Sequence, residues 1–495
     1  MQAKEPLVLL SAPAIARTGL PELIGLCADR LDSGARMLTL FGRASEGEEV
    51  LVSAVLEEAG GRLIVMQADA KRGDRFDSLT PLHPALHMVE RELWEQTTLT
   101  PDGHPWLKPV RHEGARQQCM SDYPFFKVRG AEVHEVGVGP IHASVIEPGH
   151  FRFMCLGEQV HHLEIQLGYQ HRGVEQLLLR RNPLLLASSV EAIAGDSSVA
   201  YAWAYCAAME ALSATQVRLE DDLVRGVALE LERVAMHLGT LNGMATDIAF
   251  LQGGATYGRL RTAIINASMR CCGSRFGRGW LRPGGVRFGL SAERCQDLLD
   301  TLGSFARDFQ QVNELMLCAR SVQARLKGVG VVTAAVAREI GMVGLAARAS
   351  GVALDTRLSM PGRVHGAFPL ALVTEDGGDC WARLRMRIRE TDESVRWLLQ
   401  VIAHAALERS DFAPAEPACK ELRPNMLCVS VREGARGEIV QVIETGSDGR
   451  LRHYKVQDPS LQNWFGVALS VRDNEISDFP ICNKSFDLSY CGNDL

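Results

Sequence analysis

The stretch EPGHFRFMCLGEQVHHLEIQLGYQHRGVEQLL, residues 147–178, says most about the fold. Its runs FRFMCLG and VHHLEIQL are β-like and separated by a short polar turn, which predicts a hairpin. The hairpin leads into residues 168–175 at the start of a helix. His171, Arg172 and Glu175 gather there, and we consider them candidates for catalysis or coupling, or for an ion-paired helix entrance without chemistry.

Helical periodicity dominates the chain beyond about residue 150. Within 222–247, apolar residues recur at steps of three and four, which predicts a long amphipathic helix. Further helices are predicted around 304–327 and 334–348, each followed by a glycine stop signal. After residue 424, the segments MLCVSVREG, GEIVQVIETGSDGRLRHYKVQD and FGVALSVRD alternate like strands. A helical core with a β-rich C-terminal segment is therefore predicted.

The N-terminal region predicts a small α/β domain. Between residues 36 and 70, the runs ARMLTLFGR, EEVLVSAVLEE and GRLIVMQAD are separated by turns, as in an antiparallel meander. Four residues then recur at the spacing of one helical face: His83, His87, Glu90 and Trp94. The stretch 112–137, rich in Gly, charge and aromatic residues, is typical of a linker or extended tether.

These patterns predict an α+β protein. A small α/β domain at 1–115 precedes a linker at 116–138 and a mainly helical domain at 139–495 that ends in the β-rich segment. A chain of 495 residues with 46% hydrophobic content can bury cores of this size.

Composition excludes several classes of function. The net charge of −7 and a pI near 6.1 give no basic footprint, so nucleic acid is not an expected partner. No apolar run approaches the roughly 18 residues of a membrane span, and the N-terminus lacks the pattern of a secretory signal. The thirteen cysteines include no Cys-x-x-Cys, which favours reduced core thiols in a cytoplasmic protein and excludes an iron–sulfur cluster on this chain.

Several segments resemble the large subunits of complex I and of energy-converting [NiFe] hydrogenases. Residues 147–178 resemble the opening of those subunits. Other matching segments are RGVALELERVAMHL at 225–238 with Asp247 after it, RPGGV at 282–286, GMVGLAARASGVALDTR at 341–357, GDCWARLRMRIRETDES at 378–394 and the segment 433–464. The resemblance covers nearly everything from 139 to 480.

The N-terminal domain resembles the small complex I subunit that sits beside the large one. Residues 78–105 match its helix, whose acidic face we interpret as solvated or partner-facing; its charged residues are Glu90, Arg91, Glu92 and Glu95. Fusion of the two subunits is typical of formate-hydrogenlyase-type complexes.

The resemblance fails at the metal ligands. Hydrogenases of this superfamily hold nickel and iron with two Cys-x-x-Cys pairs. By alignment on AYCAAME at 204–210, the first pair falls on Ala194 and Ser197, and the second falls on Cys482 and Ser485. One thiolate of four remains, so the sequence predicts no [NiFe] centre and no metal bound by this chain.

The quinone site of complex I also has no full counterpart. Its His-Pro-x-x-His loop corresponds to GPIHASVIE, where His142 keeps the first histidine and Ile146 replaces the second. The head-group tyrosine falls on Gly195. Whether quinone binds therefore stays open, and both quinone binding and NAD binding are functions that only the complex I resemblance implies.

A different polar set remains in the expected cavity, where 139–147, 168–175, 194–198 and 478–487 should converge. Its members are His142, His171, Asp196, Ser197, Ser198, Asp478, Asn483 and Lys484, and Arg172, Glu175 and Asp247 complete the candidate site. Asp196 and Lys484 are expected to form an ion pair or a water-bridged relay, either for proton handling or as a structural plug.

The resemblance implies a large subunit that couples electron transfer to proton or ion translocation. It implies an iron–sulfur cluster in a small partner subunit, antiporter-like and other membrane-arm partners, and a peripheral position on the inner face of the cell membrane. The tail DFPICNKSFDLSYCGNDL at 478–495 resembles hydrogenase-related complexes that lack metal ligands. An inactive structural scaffold is the alternative.

Overall fold

The computed structural model describes residues 4–44, 47–113, 120–130, 132–143, 146–404, 419 and 421–495. It is an α+β protein, as predicted. The strands are β1 (Leu7–Ser11), β2 (Arg17–Gly19), β3 (Arg36–Ala44), β4 (Glu49–Glu58), β5 (Arg62–Lys71), β6 (Arg75–Asp77), β7 (Thr100–Asp102), β8 (Val133–Val138), β9 (His150–Leu156), β10 (Gln159–Gln166), β11 (Leu281–Arg282), β12 (Gly285–Val286), β13 (Met426–Glu433), β14 (Glu438–Thr445) and β15 (Leu451–Gln457).

The α-helices vary from single turns to almost eight turns. They are α1 (Leu20–Asp32), α2 (His87–Thr97), α3 (Val174–Leu179), α4 (Ala187–Val190), α5 (Ser198–Leu212), α6 (Leu219–Asp247), α7 (Leu251–Cys272), α8 (Ala292–Cys318), α9 (Arg320–Leu326), α10 (Ala334–Glu339), α11 (Gly344–Arg348), α12 (Thr356–Ser359), α13 (Gly362–Ala367), α14 (Cys380–Ile402), α15 (Pro459–Ser470), α16 (Phe479–Phe486) and α17 (Tyr490–Asp494). Over the described residues, no helix combines the length and apolarity that a bilayer crossing requires.

The predicted N-terminal meander is confirmed. Strands β3, β4 and β5 pair antiparallel in sequence, and β2 adds to β5 in parallel. Alternate side chains of these strands pack against α1 and α2 in a core that includes Leu23, Val52 and Val89.

The C-terminal sheet takes its edge strand from the beginning of the chain. Its order is β1-β13-β14-β15, with Leu7 opposite Ser430. The N-terminal sheet packs against it through a shared apolar cluster that includes Phe41 and Val429. Residues 7–11 thus lie within the predicted small domain but pair with the large one. The boundary within 116–138 stays a prediction, and residues 116–119 and 131 of it lie outside the described residues.

The hairpin at 147–178 forms as predicted. Strands β9 and β10 pair antiparallel around a turn at Gly157, whose φ of 60° suits glycine, and β8 adds to β9. The chain then passes through residues 168–173 into α3 at Val174.

The long helix predicted at 222–247 is α6, which packs between α7 and α14. The helix predicted at 304–327 is instead two helices, because Ala319 adopts an extended conformation between α8 and α9. The helix predicted at 334–348 is also broken: Gly341, between α10 and α11, and Gly344, the first residue of α11, both have positive φ. A Cβ at Gly344 would collide with the carbonyl oxygen of Arg436, so close backbone packing explains that break.

Two further interpretations were wrong. FGVALSVRD is not a strand, because its apolar part lies in α15, which Asp458 caps through the backbone N–H of Ser460. The acidic face of α2 is not solvated, because all four of its charged residues are buried. Glu95 accepts the backbone N–H groups of Val110 and Arg111, so the tertiary fold satisfies this face internally.

Candidate functional site

Four charged side chains of alternating sign meet where the N-terminal and C-terminal motifs converge. The guanidinium of Arg436 donates to both carboxylate oxygens of Asp196, at 2.9 and 2.8 Å. Its Nη2 lies 3.8 Å from Oδ2 of Asp487, whose Oδ1 accepts from Lys484 Nζ at 2.7 Å. We call Asp196, Arg436, Asp487 and Lys484 the Arg436 network. It runs from Asp196, whose side chain is 36% exposed, to the end of α16.

Local backbone geometry puts these groups in place. Asp196 lies two residues before the start of α5, and Arg436 lies in the tight turn between β13 and β14. Asp487 caps α16 in the left-handed conformation with φ of 55°, which turns its side chain back toward Lys484 in the last helical turn. Thr240 of α6 donates to Asp487 at 2.6 Å. The network therefore joins elements that are far apart in sequence.

Asp196 and Lys484 each have another partner, so the direct ion pair that was one of their two expected arrangements is wrong, and the water-bridged relay stays a prediction. Arg436 presents a planar fork that engages both oxygens of Asp196, a geometry that an ammonium group cannot match. Lys484 is paired with Asp487 three residues later. The two predicted residues belong to one network but are linked through two others.

Electrostatics within the network favour its charged forms. Burial opposes ionisation of Asp487, but Lys484 and Arg436 outweigh it and hold the pKa of that carboxyl well below its usual range. Burial raises the pKa of Asp247, at the end of α6, and the positive charge of Lys484 offsets part of that increase. Asp247 thus lies within electrostatic reach of the network.

Glu232 of α6 is a functional candidate that sequence reasoning missed. Its carboxylate accepts the backbone N–H groups of Val199 at 2.6 Å and Ala200 at 3.2 Å, and so caps α5 from outside. Burial raises the pKa of Glu232, the two hydrogen bonds lower it and the negative charge of Asp196 raises it, which together give a pKa of about 8. A carboxyl group that titrates near neutral pH therefore lies next to the network.

A second buried network continues through the helical core. His237 Nε2 lies 3.0 Å from Glu390 Oε2, and Glu390 Oε1 accepts from Arg348 Nε at 2.8 Å. Burial lowers the pKa of His237 to about 4 despite its bond to Glu390, so this imidazole is neutral at pH 7. Arg387 lies between the two networks: its Nη1 is 3.4 Å from His237 Nδ1, and the charge of Asp487 acts on it.

The motif at the start of α3 holds the C-terminal end of the chain. Asp494 accepts the backbone N–H groups of Gly168 and Gln170, each at 2.8 Å. Arg172 donates to the carbonyl oxygens of Ala192, Ile193 and Cys491. His171 Nδ1 lies 2.8 Å from the Asp494 carbonyl oxygen and its Nε2 lies 3.2 Å from Glu113. Burial lowers the pKa of His171, but the bond to Glu113 outweighs it and raises that pKa overall.

Glu175 belongs to a separate buried cluster. It accepts the backbone N–H of Val456 at 2.9 Å and lies 3.1 Å from Lys455 Nζ. Lys455 also contacts Glu92, which pairs with Arg111. This cluster joins α2, α3 and β15, so its two cations and two carboxylates fasten the N-terminal domain to the large domain.

The other predicted residues have local partners. His142 Nε2 lies 2.7 Å from the Gly149 carbonyl oxygen of its own loop, of which residues 144–145 lie outside the described residues. Asp478 pairs with Arg325 at 3.4 Å. Ser198 donates to the Gly195 carbonyl oxygen at 2.9 Å, and Asn483 donates to the Tyr490 hydroxyl at 3.2 Å. Asn483 also accepts the backbone N–H of Asp487 at 3.1 Å, and over the described residues none of the four makes a side-chain hydrogen bond or ion pair with the Arg436 network.

The positions of the hydrogenase ligands do not form a donor set for nickel and iron. Ala194 has no donor atom, and Ser197 accepts from Arg436 at 3.3 Å. Ser485 accepts from Arg383 at 2.7 Å, and the sulfur of Cys482 faces Cys380. Two guanidinium groups therefore contact these positions, where a cationic metal would meet repulsion.

The fold and the converging motifs define a large subunit of the complex I and hydrogenase type. A sequence profile described as the 49 kDa subunit of respiratory-chain NADH dehydrogenase matches residues 247–421. An NADH-quinone oxidoreductase subunit of Dehalococcoides mccartyi is 30% identical over 362 residues, which cover 71% of this chain and 96% of that protein. The chain therefore belongs to the complex I and energy-converting hydrogenase superfamily of large subunits.

Two further relatives extend the comparison. Formate hydrogenlyase subunit 5 of Escherichia coli is 27% identical over 490 residues, which cover 92% of this chain and 84% of that protein. A chain in the structure of the membrane-bound sulfane sulfur reductase, an archaeal respiratory membrane complex, superposes with a TM-score of 0.66 at 20% identity. That superposition covers 74% of this chain and 99% of the other, and it supports the fold.

Proposed function

We propose that this chain is the large subunit of a membrane-associated, energy-converting oxidoreductase complex and couples electron transfer in a partner to proton or ion translocation. The observation that carries the proposal is the Arg436 network, which reaches from the partly exposed Asp196 into the helical core. Buried charges of alternating sign are costly to assemble and respond to any charge that changes nearby.

The chemistry of coupling rests on the chain's own side chains. Glu232 holds a proton near neutral pH, and the charge of Asp196 helps to keep it there. Movement of Arg436 away from Asp196 would alter both carboxyl groups, because it removes the positive charge from one and changes the field on the other. Departure of Arg436 would thus favour proton uptake by this carboxyl pair, and its return would favour proton release, each in response to a change of charge in a neighbouring subunit.

The partners follow from the relatives and from what this chain lacks. The named relatives are subunits of a quinone oxidoreductase and a formate hydrogenlyase. An iron–sulfur small subunit would supply the nearest electron carrier, and antiporter-like and other membrane-arm subunits would move the ion. The chain would then be peripheral on the inner face of the membrane. We infer that it holds no [NiFe] centre, because the four ligand positions offer one thiol.

Isolation of the intact complex tests the assembly. An affinity tag on this chain should recover an iron–sulfur subunit and antiporter-like membrane subunits, identified by mass spectrometry. Elemental analysis of the same sample should give far less than one nickel per chain. One nickel per chain would refute the inference that Ala194 and Ser197 leave the chain without a [NiFe] centre. Recovery of the chain as a redox-silent monomer would refute the proposal that it is part of such a complex.

Replacement of Asp196 tests coupling against the scaffold alternative. In proteoliposomes driven by a reduced viologen donor, Asp196→Asn should slow ion translocation by about tenfold or more, since it removes a group that takes part in proton transfer. The complex should keep its subunits on gel filtration. Asp308→Asn is the matched control, because it also removes an aspartate paired with arginine at 2.8 Å, but on the exposed surface of α8. Unchanged translocation in Asp196→Asn would leave only the scaffold function.

A further inference from the structure

Two buried cysteines face each other beside the Arg436 network. Cys380 is the first residue of α14, and Cys482 lies in α16 two residues before Lys484. Their sulfur atoms are 4.0 Å apart, and both side chains are fully buried. The two helices are thus joined at a contact between two thiols.

The surroundings of Cys380 stabilise a thiolate. Arg383 Nη2 lies 3.4 Å from the sulfur, and the same guanidinium donates from Nε to Ser485 at 2.7 Å, which fixes its position. Cys380 also lies at the positive end of the 23-residue helix α14. Burial alone raises the pKa of Cys380, but the hydrogen bond with Cys482 and the charge of Arg383 outweigh it and lower that pKa.

Two other buried thiols, Cys206 and Cys428, differ from Cys380 in the direction of their pKa shift. Burial raises the pKa of Cys206 well above its usual value, and it raises the pKa of Cys428 to about 12. These two cysteines are therefore expected to be inert, and they provide internal references.

We propose that Cys380 and Cys482 form a dithiol that hydroperoxides, of which hydrogen peroxide is the simplest, oxidise to a disulfide. With hydrogen peroxide, the Cys380 sulfur attacks one peroxide oxygen, an S–O bond forms, the O–O bond breaks, and the released hydroxide takes the proton that Cys380 gave up, which yields water. The Cys482 sulfur then attacks the Cys380 sulfur, the S–S bond forms, and the second oxygen leaves as water with the Cys482 proton. Two thiols and one peroxide give one disulfide and two waters.

The packing permits both access and closure. Gly330 covers the two sulfurs, and a Cβ at that position would lie 2.7 Å from the Cys482 sulfur and 3.3 Å from the Cys380 sulfur. The neighbouring Gly328 is exposed, so opening of this short turn admits a small oxidant. Closure requires the sulfurs to approach to about 2 Å, a modest movement of two side chains already in contact.

The resulting bond would tie α14 to α16. Because α16 carries Lys484, oxidation would also fix one end of the Arg436 network. The oxidation itself does not depend on ion coupling, so its test is separate from that of the proposed function.

Peptide mass spectrometry of the native complex tests this inference. The sample is reduced, desalted, treated with graded hydrogen peroxide, alkylated and digested without reductant. A peptide linked through Cys380 and Cys482 should rise at least about tenfold over the untreated sample while Cys206 and Cys428 stay alkylated, because Cys380 has Arg383 at 3.4 Å and a second sulfur at 4.0 Å. Oxidation of Cys380 to sulfinic acid, with Cys482 recovered in its alkylated form, would contradict the proposal that the two cysteines form a disulfide. Full alkylation of both after Cys206 has begun to oxidise would overturn it as well.

Variants separate the role of Cys380, which reacts with peroxide, from that of Cys482, which closes the disulfide. Cys482→Ser should abolish the linked peptide and leave Cys380 as a sulfenic acid that dimedone traps, whereas Cys318→Ser, which removes an exposed thiol, should leave the linkage unchanged. If a variant fails to assemble, the wild-type peroxide titration still decides the proposal.

Discussion

Single residues decide how the charge of this subunit responds to pH, and Glu232 gives the clearest case. Its folded pKa of about 8 lies above its unfolded value of 4.5, so its contribution to stability is present at low pH and is lost as pH rises through about 8. Glu232→Gln should keep one of the two hydrogen bonds to α5, through its amide oxygen, and removes this titration. Thermal unfolding of the purified chain at pH 5.5, 7 and 8.5 checks this. The free energy of unfolding should change less with pH in the variant than in the wild type, by at most a few kcal/mol over this range.

Glu48→Gln is the control for that experiment, because it removes an exposed carboxylate and should leave the wild-type pH dependence intact. An identical pH dependence in Glu232→Gln and the wild type would mean that Glu232 is ionised throughout this range.

The candidate site was only partly predictable from its residues. Asp196, Lys484 and Asp247 were singled out by their motifs, and the structure brings them into one region. Their link, Arg436, lies in a turn whose sequence shows only a Gly-Ala-Arg-Gly pattern. The bond between Arg436 and Asp196 spans 240 positions, and no local periodicity encodes such a contact. Glu232 was hidden for a similar reason, because its pKa depends on burial between α5 and α6.

Among the elements, the contact between α11 and the β13–β14 turn is the most sensitive to change. Gly344 has φ of 64° and leaves no space for a Cβ next to Arg436. Gly344→Ala should destabilise the chain by more than about 1 kcal/mol, since it adds backbone strain to a steric clash. It should also displace Arg436 and reduce coupling in the same way as Asp196→Asn. Chemical denaturation and the translocation assay together check both effects.

Gly303→Ala provides the opposite result for comparison. Gly303 lies inside α8, and a Cβ there would meet no atom within 4 Å. This substitution should stabilise the chain by about 0.5–1 kcal/mol, because alanine has the higher helix propensity. Equal effects of the two substitutions would contradict the role given to the Gly344 contact.

Elements with one strong local pattern were predicted correctly, whereas those set by tertiary contacts were not. The meander, the hairpin and α6 each combine clear periodicity with turn signals. The segment in α15 failed because a short apolar run, buried on several sides, fits strand and helix alike until the cap at Asp458 is considered. The break at Ala319 has no glycine or proline to mark it.

For the whole molecule, the arrangement of sheets predicts how the chain behaves when it is cut. Limited proteolysis of the isolated subunit should cut first within 112–137, before any cut in α6. The two fragments should still elute together on gel filtration, because β1 stays in the C-terminal sheet and Arg36 makes bonds of 2.5 and 2.7 Å to Glu438. Separation of an N-terminal fragment, or early cutting within α6, would contradict this organisation.

The pairing of Leu7 with Ser430 also has a consequence for biosynthesis. A ribosome makes the chain from the N-terminus, so β1 emerges long before β13 exists. At roughly 5–20 residues per second, this strand waits tens of seconds for its partner. During translation its unpaired backbone is open to other strands, and the subunit can reach its native state only after synthesis of β13.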